Sequence, residues 1–190
     1  MGEHKLRQSQ VKDAKKKKGT WREGFMLFIY ALLLALLLKA FVVDSRAIPS
    51  TSMQPTIEPG DRVVLSRLAY LGERAPQRGD IVVFKAPAET QEKSDMVKRV
   101  IGLPGEKVEI RDGMVYINDI ALVEHYLNEA PDYVFGPVTV PEGCYFVLGD
   151  NRNHSVDSHA WLDPFLPEED IKGKATVCYW PLDRIGGLYE

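Results

Sequence analysis

The chain has 190 residues, a net charge of −3 and 45% hydrophobic residues. This length fits one domain of ordinary size plus an appendage, and the composition excludes a disordered chain. The charge is unevenly distributed. Residues 1–24 carry eight Lys/Arg and three Asp/Glu, a net charge of +5, whereas the other 166 residues carry 16 and 24, a net charge of −8. A basic tail of this kind binds nucleic acid or an anionic membrane surface, and the segment that follows decides between them.

An apolar segment follows the tail. Residues 25–38 contain no charge, and Lys39 is followed by four more apolar residues, so the run extends to residue 43. A membrane-spanning helix needs about 20 residues, and a lysine near one end can extend its amine to the headgroups. The sequence predicts a transmembrane helix over residues 25–43. The four lysines at 15–18 predict a cytoplasmic N-terminus and an extracytoplasmic body.

Other interpretations of this segment are open. A cleaved signal peptide has the same basic-then-apolar order, but no small-x-small site ends the run. A buried core helix would carry an amphipathic stripe, which is missing. The lysines also fit a solvated, disordered tail, which is compatible with membrane anchoring.

After residue 43 the pattern predicts mostly β structure. Short β-branched and aromatic runs alternate with Gly, Pro, Asn and Asp, and Asp112-Gly113 predicts a type I′ hairpin. Residues 86–95 and 122–140 have a weak pattern and are expected to be loops or excursions from the sheet. The fold class is therefore mainly β, with a largely antiparallel sheet or barrel-like domain tethered by one helix. The predicted strands lie at 63–65, 81–84, 97–101, 108–110, 114–117, 144–148 and 175–180.

The chain has two cysteines, Cys144 and Cys178. Outside the cytoplasm they could form a disulfide, but both adjoin apolar runs and equally fit two buried thiols. Without a Cys-x-x-Cys spacing they predict no zinc site.

Two serines, Ser50 and Ser52, lie between Pro49 and Pro55. Prolines stiffen the backbone, and in an extended segment residues two apart point to the same side. One hydroxyl can then act as a nucleophile while the other donates a hydrogen bond beside it. A Ser/Thr/Pro-rich linker leaving the membrane has the same composition.

Lys98 lies inside an apolar, strand-like run. Period-two alternation places Lys98 on one face with Met96 and Val100, and Arg99 on the other. Apolar neighbours desolvate an amine and lower its pKa, which yields a neutral lysine able to act as a general base. An edge-strand lysine that prevents aggregation is the alternative.

A dense polar stretch, residues 149–159, follows the strongly apolar run that ends at Leu148. Functional sites are often built on loops at strand ends, although an ordinary turn has a similar composition. On residue types alone, Ser52, His159 and Asp157 could also form a Ser-His-Asp triad. No Gly-x-Ser-x-Gly, His-Glu-x-x-His or phosphate-binding Gly-rich motif occurs.

Together these motifs resemble the type I signal peptidases, also called leader peptidases, which are Ser–Lys dyad serine proteases. The matching blocks are the predicted anchor and residues 48–56, 79–84, 98–105 and 149–158, in the family's order. The resemblance implies a membrane-bound endopeptidase that removes signal peptides from preproteins after Ala-x-Ala. It implies signal peptides and the lipid bilayer as partners, and no nucleic acid, cofactor or metal.

The resemblance also implies residue roles. Ser52 would be the nucleophile and Lys98 the general base. Ser50 would complete the oxyanion hole with the backbone N–H of Ser52, and Ser155 would orient the Lys98 amine. The remaining residues would lie around the site: Arg99, Asp150 and Asp157 as structural support and Met53 near the cleavage site.

The resemblance divides the chain into a cytoplasmic tail (1–24), a transmembrane helix (25–43) and an extracytoplasmic catalytic domain (44–190). It implies the cell membrane as location, with the thylakoid membrane as an alternative. That alternative rests on His159, which stands where many members have arginine, as in the branch of thylakoidal processing peptidases. Asn153 stands where many have aspartate. Two hypotheses compete with this one: the chain could be another kind of Ser–Lys protease, or an inactive homologue that only binds preproteins.

The short tether places the predicted site near the membrane. Nine residues separate Val43 from Ser52, which span at most about 30 Å. The sequence therefore predicts an exposed apolar surface beside Ser52 that contacts lipid. The substrate is expected to add as a strand to a sheet edge.

Overall fold

A computed structural model describes residues 21–34, 43–72, 74–90, 92 and 94–189. Residues 21–34 form a helix whose apolar side chains are mostly exposed. No helix in the described parts of the chain combines the length and apolar character that crossing a bilayer requires. Residues 35–42 of the predicted span and residues 1–20 of the tail lie outside the described residues.

In the described part of residues 43–189 the regular secondary structure is almost entirely β-strand. Val43, predicted as the last residue of the span, instead begins the first strand. The strands are β1 (Val43–Ala47), β2 (Arg62–Ser66), β3 (Ile81–Phe84), β4 (Met96–Gly102), β5 (Lys107–Arg111), β6 (Met114–Ile117), β7 (Ile120–Ala121), β8 (Phe135–Thr139), β9 (Cys144–Leu148), β10 (Leu166–Pro167), β11 (Ile171–Trp180) and β12 (Gly186–Gly187). The short 3-10 helices are Ala88–Thr90, Arg152–His154, Glu168–Asp170 and Leu182–Arg184.

The strands form two antiparallel sheets. The larger has the order β1-β2-β11-β3-β4-β9-β10, with β12 pairing to β11, and the smaller has the order β7-β6-β5-β8. The mainly β, antiparallel prediction is confirmed. Strand β4, which carries Lys98, lies between β3 and β9. Lys98 itself pairs only with Val82 of β3, but it is buried, so it is not an exposed edge-strand lysine that prevents aggregation.

The alternation predicted for β4 is confirmed by the packing of its neighbours. Met96 and Val100 pack in one apolar cluster with Val82, whereas Val97 and Ile101 belong to clusters on the other side of the strand. Both faces of β4 are covered: the smaller sheet packs against Ile101 on one face, and Tyr145, Val147 and Trp161 pack with Val100 on the other. A polar side chain on this strand is consequently removed from water.

The hairpin prediction is confirmed. Arg111 pairs with Met114, and Asp112 and Gly113 between them have φ values of 52° and 73°. Positive φ at both central positions defines the type I′ turn, which matches the twist of the flanking strands.

The expectation of loops or excursions from the sheet over residues 122–140 did not include the strand β8, which belongs to the smaller sheet. Gly136 and Pro137 weaken its β pattern, and proline lacks the N–H that an inner strand needs. Because β8 is at the edge of its sheet, it pairs with β5 on one side only. An edge strand tolerates the missing donor.

Candidate active site

Ser52 lies in a turn of residues 51–57, here called the serine turn, within the connection of residues 48–61 between β1 and β2. The turn is closed by backbone bonds from Gln54 N to Thr51 O (3.1 Å) and from Ile57 N to Met53 O (2.9 Å). The Ser52 side chain is almost completely buried, and its Oγ lies 2.6 Å from Lys98 Nζ. The structure thus brings together the two residues that the sequence predicts as nucleophile and base.

Lys98 is buried in the larger sheet, with 3% of its surface exposed. This burial lowers the pKa of Lys98 from 10.5 to about 8, and the charges of Asp157 and Asp150 oppose part of the shift. Burial has this effect because the ammonium loses more hydration than the neutral amine does. With this pKa about a tenth of the amine is neutral at pH 7 and about half at pH 8, and this neutral form can accept a proton.

Ser50 lies beside the reactive hydroxyl. Its Oγ is 2.9 Å from Ser52 Oγ and accepts a hydrogen bond from the Ser52 backbone N–H at 3.2 Å. The Ser50 hydroxyl and the Ser52 N–H are the two donors predicted for an oxyanion hole, and they adjoin the nucleophilic atom.

Ser155 lies close to Gly149 and does not form a hydrogen bond with Lys98. Its Oγ is buried and has no hydrogen-bond partner among the described residues. It packs against Gly149, where an added Cβ would come within 2.3 Å of Ser155 Oγ and 2.4 Å of Ser52 O. The register of β4 with β9 pairs Arg99 with Leu148, so Gly149 continues the strand beside Lys98.

Arg99 and Asp150 form a buried ion pair behind the dyad. Arg99 Nε and Nη2 donate to the two Asp150 carboxylate oxygens at 2.8 and 2.6 Å, and Arg99 Nη1 donates to Gly79 O. Thr56 Oγ1 also donates to Asp150, which connects the pair to the turn that carries Ser52.

Asp157 accepts hydrogen bonds from both sides. The backbone N–H of Gly149 bonds Oδ2 at 2.8 Å, and His159 Nδ1 lies 2.6 Å from Oδ1. The His159 ring stacks on Tyr133 with 3.9 Å between centroids. Ser52 bonds to Ser50 and Lys98 instead, so the alternative Ser52–His159–Asp157 triad is not assembled.

A cleft of about 690 Å³ opens onto the dyad. One wall is formed by residues 46–53 and the other by residues 94–98, with Met53 buried at its base. The free edge of β1 and the first residues of β4 flank this cleft, because β9 pairs with β4 only from Arg99 onward. The cleft therefore has room and backbone groups for an extended peptide.

Two residues at the site were not identified from sequence. Gly149 lets residues 149–152, here called the polar turn, contact Ser52. Asn151 holds the serine turn, because its backbone N donates to Ser52 O at 3.0 Å and its Nδ2 donates to Thr51 O at 3.1 Å. The Gly-Asp-Asn tripeptide signalled a turn, but a turn signal does not reveal which distant segment the turn contacts.

The cysteines are unpaired and are not grouped with other metal-ligating side chains in the part of the chain that the structure describes. Cys144 and Cys178 are free thiols. Within the described ranges, no three His, Cys, Asp or Glu side chains come together to bind a metal ion.

Comparison with known proteins places the chain in a family. A family model described as signal peptidase, peptidase S26, matches residues 21–180. A probable signal peptidase I-2 from Synechocystis sp. is 41% identical over 193 residues, covering 100% of this chain and 87% of the relative. A signal peptidase I from Leptolyngbya laminosa is 43% identical over 172 residues, covering 87% of this chain and 83% of the relative.

A plant relative is also similar. Thylakoidal processing peptidase 1, chloroplastic, from Arabidopsis thaliana is 40% identical over 163 residues, covering 82% of this chain and 47% of that protein. The family match includes the serine turn, β4 and the polar turn after β9. The chain therefore belongs to the signal peptidase family, peptidase S26, and is a serine endopeptidase.

Proposed function

We propose that this chain is a membrane-bound endopeptidase that removes N-terminal signal peptides from exported preproteins, with Ser52 as nucleophile and Lys98 as general base. The carrying observation is the 2.6 Å distance between Ser52 Oγ and Lys98 Nζ, at a lysine whose pKa is lowered by burial to about 8. A base needs both reach and a free electron pair, and Lys98 has both.

The reaction begins when the neutral Lys98 amine takes the proton of the Ser52 hydroxyl. Ser52 Oγ then attacks the carbonyl carbon of the scissile bond and forms a tetrahedral intermediate. The Lys98 ammonium returns the proton to the leaving amine, the C–N bond breaks, and an ester to Ser52 remains. Water hydrolyses this ester with Lys98 again as base, which regenerates the serine.

The oxyanion of each tetrahedral intermediate is stabilised by Ser50 and the Ser52 N–H. Both groups adjoin Ser52 Oγ, which supports this role. A single such donor lowers the barrier by about 3–4 kcal/mol. During the reaction the carbonyl oxygen replaces Ser50 Oγ as acceptor of the Ser52 N–H.

Ser155 is the proposed residue that orients the base. The Ser155 hydroxyl is buried beside Gly149 without a hydrogen-bond partner, which costs free energy. A role in the reaction would explain why the hydroxyl is there. The Lys98 amine has three donors as ammonium and bonds one atom of Ser52, which leaves it able to bond Ser155 as the proton moves.

The substrate binds as an added strand along the cleft, where main-chain bonds provide affinity and pockets provide selectivity. The cleft is lined by buried apolar side chains, including Ile48, Met53 and Val97. Alternate residues of a strand face the same side, so the residues one and three before the cut enter these pockets. Shallow apolar pockets favour the small residues of Ala-x-Ala.

Membrane anchoring is the second part of the proposal. The basic tail (1–24), the apolar segment (25–43) and the catalytic domain (44–190) support a single-pass protein with a cytoplasmic N-terminus. The host would be the cell membrane, or a thylakoid membrane, which the name of the plant relative indicates for that protein. Exposed Trp180, Leu182 and Ile185 support lipid contact by the catalytic domain.

A short series of hydrogen bonds connects this proposed lipid-facing surface to residues 48–52, here called the serine segment. Leu182–Arg184 is a 3-10 helix whose Arg184 bonds Asp61, and the Asp61 carbonyl accepts from Ile48 N at 2.9 Å. Ile48 precedes Ser50 by two residues. Apolar side chains on this rim would keep the site at the membrane surface, where signal peptides leave the bilayer.

The test is cleavage of a preprotein with an Ala-x-Ala site by the full chain in detergent. We expect cleavage after the second alanine, and no cleavage by Ser52→Ala or Lys98→Ala. His159→Ala serves as the comparison, because a Ser-His-Asp mechanism would require that residue and the dyad would not. Activity that persists in either dyad variant contradicts the mechanism.

A further inference from the structure

Residues 122–130 leave the smaller sheet after β7 and reach the polar turn behind Ser52. Glu124 makes the contact. Its side chain is only 5% exposed, although the flanking Val123 and His125 are exposed. A carboxylate is rarely buried in this way unless it is paired.

The partner of Glu124 is Arg152, whose side chain is completely buried. Arg152 Nη1 and Nη2 donate to the two Glu124 oxygens at 2.8 and 2.5 Å, and Arg152 Nε donates to Gly149 O at 3.1 Å. The guanidinium therefore connects the 122–130 segment to the first residue of the polar turn. Breaking one side of such a pair leaves a buried charge without compensation, so the two move together.

The same turn determines where Ser52 lies. Asn151 bonds the carbonyls of Thr51 and Ser52, and Gly149 packs against the Ser52 carbonyl with no room for a side chain. A displacement of Gly149 to Arg152 would therefore move Ser52 with respect to Lys98, which is held separately by β4.

Tyr126 extends the contact to the other side of the dyad. Its hydroxyl donates to Glu124, and its ring lies 3.9 Å from the guanidinium carbon of Arg99. Arg99 is the neighbour of Lys98 on β4. One segment thus contacts the supports of both the nucleophile and the base.

We infer that Glu124 is a positioning residue for the peptidase reaction: through Arg152 it fixes the 149–152 turn and so the distance between Ser52 Oγ and Lys98 Nζ. The inference rests on the proposed role of that pair. Glu124 does not line the substrate cleft. Its loss should therefore lower kcat and leave KM nearly unchanged. Because an unfolded fraction would lower the apparent kcat in the same way, kcat is expressed per folded molecule, with the folded fraction of each variant measured by circular dichroism at the assay temperature.

The first test measures kcat and KM of the full chain in detergent on a fluorogenic peptide with an Ala-x-Ala site. Glu124→Gln keeps the shape and removes the charge. We expect kcat to fall on the order of 10- to 100-fold, as for other small displacements of reacting groups, with KM within about twofold. The matched control is Asp132→Asn. Asp132 is an exposed carboxylate two residues after the 122–130 segment, and its replacement should leave both constants unchanged.

The second test asks whether Glu124 acts through Arg152. Residues that act as one unit are non-additive, so adding Glu124→Gln to Arg152→Gln should change kcat by less than about twofold. A further loss as large as that of Glu124→Gln alone would overturn the inference. So would a Glu124→Gln variant with the wild-type kcat, whatever its melting temperature.

A third variant covers a failure of Glu124→Gln to fold. Glu124→Asp keeps the charge pair but shortens its reach, so kcat should fall by a smaller factor, and a wild-type kcat would overturn the inference. Ser52→Ala measured in parallel separates the two claims. If Ser52→Ala is inactive while Glu124→Gln is fully active, only the positioning role fails; if the wild type does not cleave the peptide, the proposed function fails.

Discussion

At the scale of single residues, the surroundings of Lys98 exclude water from its amine and lower its pKa. Lys98 lies on an inner strand between Val82 and the start of the polar turn, and only 3% of it is exposed. Asp157 and Asp150 partly stabilise its charged form. The balance leaves an amine that is a base near neutral pH yet can still be protonated to assist the leaving group.

The first prediction concerns the pH dependence of cleavage. Only the neutral amine can take the Ser52 proton, so kcat/KM should rise about tenfold per pH unit on the acid side and level off above the Lys98 pKa of about 8. The measurement is kcat/KM of the full chain between about pH 6 and pH 10. A limb with a midpoint near about pH 6, the range of histidine, would exclude Lys98 as the base.

The second prediction concerns stability. Lowering the lysine pKa from 10.5 to about 8 means that below pH 8 the folded state carries a charge it disfavours, at a cost of about 3 kcal/mol. Lys98→Met should therefore unfold at a higher temperature at about pH 7 and be inactive.

The pH dependence of this gain follows from the direction of the shift. As pH rises from about 8 to 10.5, the folded lysine is neutral while the unfolded lysine still binds a proton, so wild-type stability increases. The advantage of Lys98→Met should shrink over this range. Thermal unfolding at several pH values measures it, and an advantage independent of pH would contradict the burial argument.

At the scale of elements, the turn after β9 is what brings separate parts of the chain to the dyad. Asp150 bonds Arg99 on β4, Asn151 bonds the serine turn, and Arg152 bonds Glu124. Three successive side chains thus face three different partners. Gly149 makes this possible because its missing Cβ lets the turn lie directly on Ser52.

The third prediction tests this close approach. In Gly149→Ala the new methyl would meet Ser155 Oγ and Ser52 O at 2.3 and 2.4 Å, so the serine must move away from Lys98. We expect kcat to fall about 100-fold or more, since displacements of about 1 Å have this effect. Gly186→Ala is the control, because a Cβ there meets nothing within 4 Å. Equal activity of the two variants would contradict the packing argument.

The difference between sequence and structure is also clearest at this scale. Short β-branched and aromatic runs located the inner strands β2, β3, β4 and β9, since each buries apolar side chains. The edge strands β1 and β8 and the two-residue strands β7, β10 and β12 were missed. Two-residue strands have no periodicity to detect, and Pro137 contradicts an inner strand but not an edge.

At the scale of the whole molecule, a basic tail and an acidic body are joined by an apolar segment. The body itself carries exposed apolar residues near the serine segment, namely Leu182 at 70% and Ile185 at 58% exposure. Exposed apolar patches near a site indicate contact with a membrane or a partner.

The fourth prediction is that this surface binds lipid without the anchor. The fragment 43–190, which forms a compact unit, should bind phospholipid vesicles, and a Leu182→Ser/Ile185→Ser double variant should bind about tenfold or more weakly. Ile120→Ser, at 73% exposure on the smaller sheet, is the matched control. Equal binding by all three proteins would contradict a lipid-facing role.

The sequence by itself determined the mainly β, antiparallel fold class, and its motifs, through their resemblance to the signal peptidases, predicted Ser52 and Lys98 as the reactive residues. Runs of apolar residues indicate which strands are buried. The motifs around Ser50, Ser52 and Lys98 can be identified from residue types and spacing without any knowledge of the fold. The sequence also determined that Lys98 would lie among apolar neighbours, because period two follows from strand geometry.

Only the tertiary structure decided which residues meet. Ser52 and Lys98 are 46 positions apart, and their contact at 2.6 Å depends on the order of strands in the sheet. The same applies to the pairing of Arg152 with Glu124 and of His159 with Asp157 rather than with Ser52. Local patterns carry the backbone preference of each segment, whereas long-range contacts follow from how all segments bury their apolar faces together.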